Sequence, residues 1–187
     1  MKGNKLHFRD ITFLAILSAV LLLLSGAIMP FVMTTQFFAL RQLVGSIFFA
    51  PMTVIALSRV PKWGALTVVG FCTGIVLLFM SPVMFVNNVL GAVLTESVVW
   101  ILFRTYKGMR PKRWAAVLYM PMTLPITFLY NHWVLNRSLL QQFGGNIGLC
   151  VCFILGVFVI AFVGAKFGER IVQELRRAGK LPEEAHS

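Results

Sequence analysis

The chain has 187 residues, 58% of them hydrophobic, with a formal net charge of +11 at pH 7. A mean hydropathy of +0.84 excludes an ordinary soluble domain. The positive charge could indicate nucleic-acid binding, but the cations lie in short connections beside apolar segments, where they meet anionic lipid. We therefore expect an integral membrane protein that contacts membrane lipid and no nucleic acid.

Six long apolar segments follow one another along the chain. Most approach the roughly 20 residues that a helix needs to cross the bilayer core. They are Ile11–Met29, Gln42–Leu57, Trp63–Met80, Val83–Phe103, Trp114–Trp133 and Ile147–Gly164. The pattern predicts an all-α integral membrane protein, a single domain over residues 1–187 with six transmembrane helices. Pro30 is predicted to end the first helix, and the basic amphipathic segment Phe167–Gly179 to continue the sixth as a tail helix at the inner interface.

Basic residues fall almost entirely on alternate connections between these segments. Fifteen of the 17 Lys and Arg residues precede the first segment, follow the sixth, or lie between the second and third or the fourth and fifth. Only Arg41 and Arg137 lie on the remaining connections. Because short cytoplasmic loops retain Lys and Arg, both termini, residues 1–10 and 166–187, are predicted to be cytoplasmic.

The first apolar segment carries a strip of small residues on one face, formed by Ala15, Ala19 and Gly26. Such strips let helix backbones approach closely in lipid. The strip could pack within this chain or against a partner helix, and the sequence leaves both alternatives open.

Aromatic, Met and polar residues gather at the predicted external ends of the helices. Ligand pockets are mostly apolar with a few placed polar groups, although aromatic residues are also common in helix cores and interfacial belts. The two external cations could pair with a carboxylate or phosphate, or extend toward lipid headgroups. Of the adjacent asparagines only one is expected to face a cavity, since neighbours on a helix point about 100° apart. The candidate substrate-binding residues are Met33, Phe37, Phe38, Arg41, Met84, Asn87, Asn88, Tyr130, His132, Trp133 and Arg137.

Glu96 is the one acidic residue inside an apolar segment. An intramembrane carboxylate is a candidate proton-coupling group or ligand contact, so a proton-coupled secondary transporter that uses Glu96 is the alternative function. A hydrogen bond to Ser or Thr on a neighbouring helix would instead give Glu96 a structural role.

His132 suggests a metal or haem hypothesis, with Met29, Met33 or Met84 as possible thioether ligands. No HxxxH or CxxC spacing supports it, so neither a metal nor a cofactor is predicted. No nucleophile and orienting acid accompany His132 in the outer layer, and no enzyme activity is expected. The chain also has no P-loop sequence, so transport against a gradient would need a partner or a coupling ion.

Short motifs along the chain carry a family resemblance. They are Phe8-Arg9-Asp10-Ile11, Ala15-Ile16-Leu17-Ser18-Ala19 as an AxxxA motif, Thr95-Glu96-Ser97, Tyr106-Lys107, Gly164-Ala165-Lys166-Phe167-Gly168 and Arg177-Ala178-Gly179. Together they resemble the substrate-binding S component of an energy-coupling factor (ECF) transporter, more narrowly the MptD or Trep_Strep-like group.

The resemblance implies a subunit of an ABC-type importer in a prokaryotic plasma membrane. This chain would bind a vitamin, micronutrient or cofactor-like molecule at the extracellular side and have no activity alone. Ala15 and Ala19 would contact a transmembrane coupling subunit, which binds two cytoplasmic ATPases. The S component would topple, that is, rotate in the membrane, to release its ligand inward. A ligand with a flat apolar body and an anionic group fits the external residues best.

Overall fold

The computed structural model describes residues 6–33, 38–79, 81–134, 146–179 and 181, with side chains for all of these except 28–33, 38–41 and 131. Regular structure in these ranges is entirely helical. The six helices are α1 (Phe8–Met33), α2 (Phe38–Arg59), α3 (Ala65–Leu78), α4 (Pro82–Phe103), α5 (Met109–Trp133) and α6 (Ile147–Arg177). The all-α prediction with six helices is confirmed.

Four of the helices are long and apolar enough to cross a membrane. The qualifying stretches lie in α1, α2, α4 and α6. The third helix is apolar too, but it has only 14 residues, a length of about 21 Å at 1.5 Å per residue. The chain is therefore compatible with a membrane protein, while six crossings and the side on which the termini lie stay predictions.

One helix end differs from the prediction, and a second agrees with it. The first helix does not end at Pro30 but continues to Met33, because proline removes only one helical hydrogen bond and a helix can continue past it. The basic tail continues α6 without interruption to Arg177. The predicted continuation of the sixth helix is thus confirmed.

The second helix lies at the centre of the bundle. It packs against α6 and α5, while α3 pairs with α4, α4 with α5, and α5 with α6. Close approach to α6 depends on Gly168, where an added Cβ would lie 2.7 Å from the Cα atom of Pro51. The first helix lies at the edge, against α3 and α2, and buries Leu14, Ser18 and Leu21.

Polar contacts join the basic connections at one end of the bundle. Lys62 Nζ lies 2.7 Å from Asp10 Oδ2, which ties the α2–α3 connection to the start of α1. Arg113 at the start of α5 donates from Nη2 to Glu169 Oε2 at 2.8 Å, and also from Nε to the same carboxylate. We call this end, formed by residues 6–10, 59–64, 104–113 and 166–177, the basic end.

Candidate binding site

A cavity of about 270 Å³ lies between α2, α3, α4 and α5, at the end of the bundle opposite the basic end. This volume is close to the lower limit of roughly 300 Å³ for small-molecule pockets. The side chains around it are amides, hydroxyls, aromatic rings and aliphatic groups, with no charged side chain among the described ones. They belong to Gln42, Gly45, Phe49, Leu77, Ser81, Val83, Met84, Asn87, Asn88, Met120, Thr123, Thr127 and Tyr130.

A polar cross-link between α2 and α5 forms part of the cavity wall. Gln42 donates from Nε2 to Thr123 Oγ1 at 2.6 Å, and the same nitrogen lies 3.4 Å from the carbonyl oxygen of Met120. Thr123 in turn donates to the Met120 carbonyl at 2.7 Å. These bonds hold α2 and α5 at a fixed separation beside the cavity, so the shape of the cavity is determined by specific side-chain contacts.

The adjacent asparagines of α4 both line the cavity, contrary to the expectation that only one would. Asn88 is satisfied within the protein: its Nδ2 donates to the Met84 carbonyl at 2.8 Å, and its Oδ1 accepts from Tyr119 at 3.3 Å. Among the described residues, the buried Oδ1 of Asn87 has no hydrogen-bond partner. Because a buried acceptor without a partner is costly, the amide of Asn87 is the clearest candidate for binding a ligand donor.

The tyrosine that binds Asn88 is itself firmly held. Tyr119 is buried, and its ring stacks on Phe49 with centroids 5.6 Å apart. Aromatic pairs at such distances add stability beyond the area they bury. Asn88 therefore belongs to the rigid wall of the cavity, and Asn87 to its binding surface.

Four of the predicted site residues, Met84, Asn87, Asn88 and Tyr130, line this cavity. His132 is exposed and Trp133 is 77% exposed, and neither is among the lining residues. The remaining predictions fall on side chains outside the described part of the chain: Met33, Phe37, Phe38, Arg41 and Arg137.

The sequence interpretation missed several lining residues. Met120, Thr123 and Thr127 are three of these missed residues. Together with the predicted Tyr130 they recur at spacings of three and four, which places all four on one face of α5. That periodicity was a usable signal, as was Gln42, an uncharged polar residue at the start of an apolar segment. Phe49 and Gly45 carry no such signal, because their position depends on which helix faces α2.

No metal site is evident in the described ranges. They contain no group of three His, Cys, Asp or Glu side chains that could hold an ion. Cys72, Cys150 and Cys152 are free thiols.

Glu96 lies away from the cavity and caps the start of α3. Its Oε1 accepts from the Gly64 N–H at 2.7 Å, and its Oε2 accepts from the N–H and the hydroxyl of Thr67 at 3.2 and 2.5 Å. The first N–H groups of a helix have no partner within the helix, and no side chain of the α3 N-cap residue supplies one. These contacts correspond to the structural alternative, a hydrogen bond to Thr on a neighbouring helix.

The small-residue strip of α1 lies on the open side of the bundle. Ala19 and Gly26 are exposed, and Ala15 is partly buried. An added Cβ at Gly26 would meet no atom within 4 Å. Ala19 and Gly26 therefore do not pack against the described helices of this chain, which was the first of the two alternatives for the strip.

No protein-family model, curated protein or solved structure matches the chain. The resemblance to S components therefore stays a prediction that depends on the short motifs alone.

Proposed function

We propose that this protein is the substrate-binding S component of an ECF-type importer, which captures a small ligand in the cavity between α2 and α5. The observation that carries the proposal is the cavity itself, whose lining includes Asn87, a residue with a buried Oδ1 that has no hydrogen-bond partner among the described residues. A membrane bundle whose only purpose was structural would gain by filling such a space, because an unfilled cavity costs stability.

The lining indicates the chemistry of the ligand. Phe49, Leu77 and Met120 offer apolar surface, while Asn87 offers an acceptor for an N–H or O–H group. A small molecule with an apolar body and at least one hydrogen-bond donor fits these groups. An anionic group, as expected from Arg41 and Arg137, would depend on side chains outside the described part of the chain.

The position of the cavity supports uptake from the exterior. It lies opposite the basic end, and the positive-inside rule assigns the basic end to the cytoplasm. The cavity would then open toward the extracellular side of the membrane. The strip on α1, with Ala19 and Gly26 exposed and Ala15 partly buried, supplies a face for a coupling subunit, since small residues permit close helix contact in lipid.

Co-purification tests the proposal directly. The tagged protein is extracted from its native membranes under mild conditions, and mass spectrometry identifies the retained proteins and small molecules. We expect two ATPases, a membrane coupling subunit and one enriched small molecule. The Asn87→Leu variant should lose the small molecule but keep the subunits, whereas Val86→Leu, at an exposed neighbouring position, should keep both.

The interface is tested with the opposite pattern. Ala15→Leu and Ala19→Leu should release the ATPases and leave the small molecule bound, while Ile16→Leu, at an exposed position of the same helix, should change neither. The proposal fails if both alanine variants retain the ATPases, or if none co-purify with the unmodified chain. Transport by the purified chain alone in liposomes, without ATP, would support the proton-coupled alternative instead.

A further inference from the structure

A second pocket, of about 210 Å³, lies at the basic end between the α2–α3 connection and the end of α4. Its lining combines two indoles, a guanidinium and a phenol, from Trp63, Trp100, Arg104 and Tyr106. It shares no lining residue with the cavity at the opposite end. What it binds can therefore be considered independently of the proposed transport function.

The two indoles form an exposed aromatic pair. The rings of Trp63 and Trp100 meet edge to face, with centroids 5.6 Å apart and an interplanar angle of 63°. Both stay substantially exposed, at 38% and 51%. Ile101 and Leu102, which follow on α4, are exposed too. Tryptophan concentrates where hydrocarbon meets headgroups, so this pair and its apolar neighbours have the character of a lipid-facing surface.

Arg104 ends α4 in an unusual backbone conformation. Its φ angle of 54° lies in the left-handed region, where helices usually end on glycine. Among the described residues no carboxylate pairs with Arg104 in an ion pair. Two described carboxylates of the neighbouring elements have other partners, Asp10 with Lys62 and Glu96 with the start of α3. The Arg104 guanidinium that borders the pocket thus has no carboxylate partner in the part of the chain that the structure describes.

We propose that this pocket binds the headgroup of an anionic phospholipid. The planar fork of the Arg104 guanidinium suits the lipid phosphate. The exposed Arg59 and Lys107 lie within two residues of the lining residues Pro61 and Tyr106 along the chain and add positive charge to this end of the bundle. The indole pair packs against the glycerol backbone and the first carbons of the acyl chains. A free phosphate ion would use the guanidinium but not the indoles, which is why a lipid fits the site better.

Quenching of tryptophan fluorescence by brominated lipid tests this proposal on the full chain. The chain has four tryptophans, so the background Trp114→Phe, Trp133→Phe leaves only the two in the pocket. The protein is placed in phosphatidylcholine vesicles that contain increasing fractions of brominated phosphatidylglycerol or, separately, brominated phosphatidylcholine. We expect half-maximal quenching at an about fivefold lower fraction of the anionic lipid, the preference that one basic side chain near an anionic surface confers.

The variants separate a defined site from general attraction to a charged surface. Arg104→Gln and Arg104→Gly should each abolish the preference, and glycine keeps the left-handed backbone accessible, so folding is preserved. Arg110→Gln removes an exposed cation of the same end that does not line the pocket and should retain the preference.

Three outcomes would overturn the proposal. Equal quenching by the two lipids would show no headgroup site. Equal losses in the Arg104 and Arg110 variants would show a diffuse charge effect. Displacement of the brominated lipid by inorganic phosphate at constant ionic strength would show a general anion site instead.

Discussion

Replacing Glu96 by Gln separates the structural role of this carboxylate from a proton-coupling role. Glu96 is 1% exposed, and its two oxygens accept three hydrogen bonds from Gly64 and Thr67. Glutamine has nearly the same shape, but it offers one acceptor oxygen and an NH2 group that can only donate. If its oxygen faces Gly64, its nitrogen faces the N–H of Thr67, and that donor loses its partner.

The expected cost follows from these contacts. A buried donor left without a partner costs about 1–3 kcal/mol. Loss of a negative group at a helix N-terminus costs about 0.3–1 kcal/mol more. Glu96→Gln should therefore lower the free energy of unfolding by about 1–4 kcal/mol. Glu96→Ala, which removes every acceptor, should lower it further.

Unfolding in mixed micelles with increasing SDS, followed by far-UV circular dichroism, measures this difference. Glu174→Gln is the matched control, because Glu174 pairs with Arg177 at 3.1 Å on an exposed surface and such pairs contribute under about 1 kcal/mol. If Glu96→Gln unfolds like the unmodified protein yet loses uptake, the capping role is refuted and the carboxylate is needed for transport itself.

Two further predictions use the same unfolding assay. Gly168→Ala should lower the free energy of unfolding by about 1–3 kcal/mol, because the new methyl group would meet the backbone of Pro51. The control Gly26→Ala places its methyl group in open space and should be neutral or stabilising. Equal effects of the two substitutions would argue against the close α2–α6 contact. Arg113→Ala should lower the free energy of unfolding by about 1–2 kcal/mol, since it leaves the largely buried Glu169 without the guanidinium that joins α5 to α6. Arg177→Ala, in an exposed pair, should change little, and matching losses in the two Arg variants would contradict the importance of the α5–α6 contact.

Hydropathy located every helix but not the helix ends. The fifth helix begins at Met109 rather than near Trp114, so that Arg110 and Lys112 lie within its first turn. Hydropathy marks the stretch that suits hydrocarbon, whereas a helix is defined by its backbone hydrogen bonds, which continue through charged residues. The same reason explains why α6 runs on to Arg177.

The candidate site was only partly predictable because a pattern identifies a face of a helix and not the helix opposite it. Asn87 and Tyr130 were found from residue type and depth alone. The polar character of Gln42 was visible in the sequence, but its role in the site arises from its bond to Thr123 on α5, a partner 81 positions along the chain. Similarly, nothing in the sequence distinguishes Asn87 from Asn88, since what satisfies Asn88 is a tyrosine of another helix.

The short third helix gives a physical reason for a carboxylate within an apolar segment. With 14 residues, α3 covers about 21 Å and cannot span a hydrocarbon core of about 30 Å. Glu96, which contacts the start of α3, is 1% exposed, so backbone N–H groups at this position have little access to water and must find partners within the protein. Glu96 on α4 provides them for Gly64 and Thr67. An acidic residue in a membrane segment thus follows from the need to cap a neighbouring helix, and transport chemistry is not required to explain it.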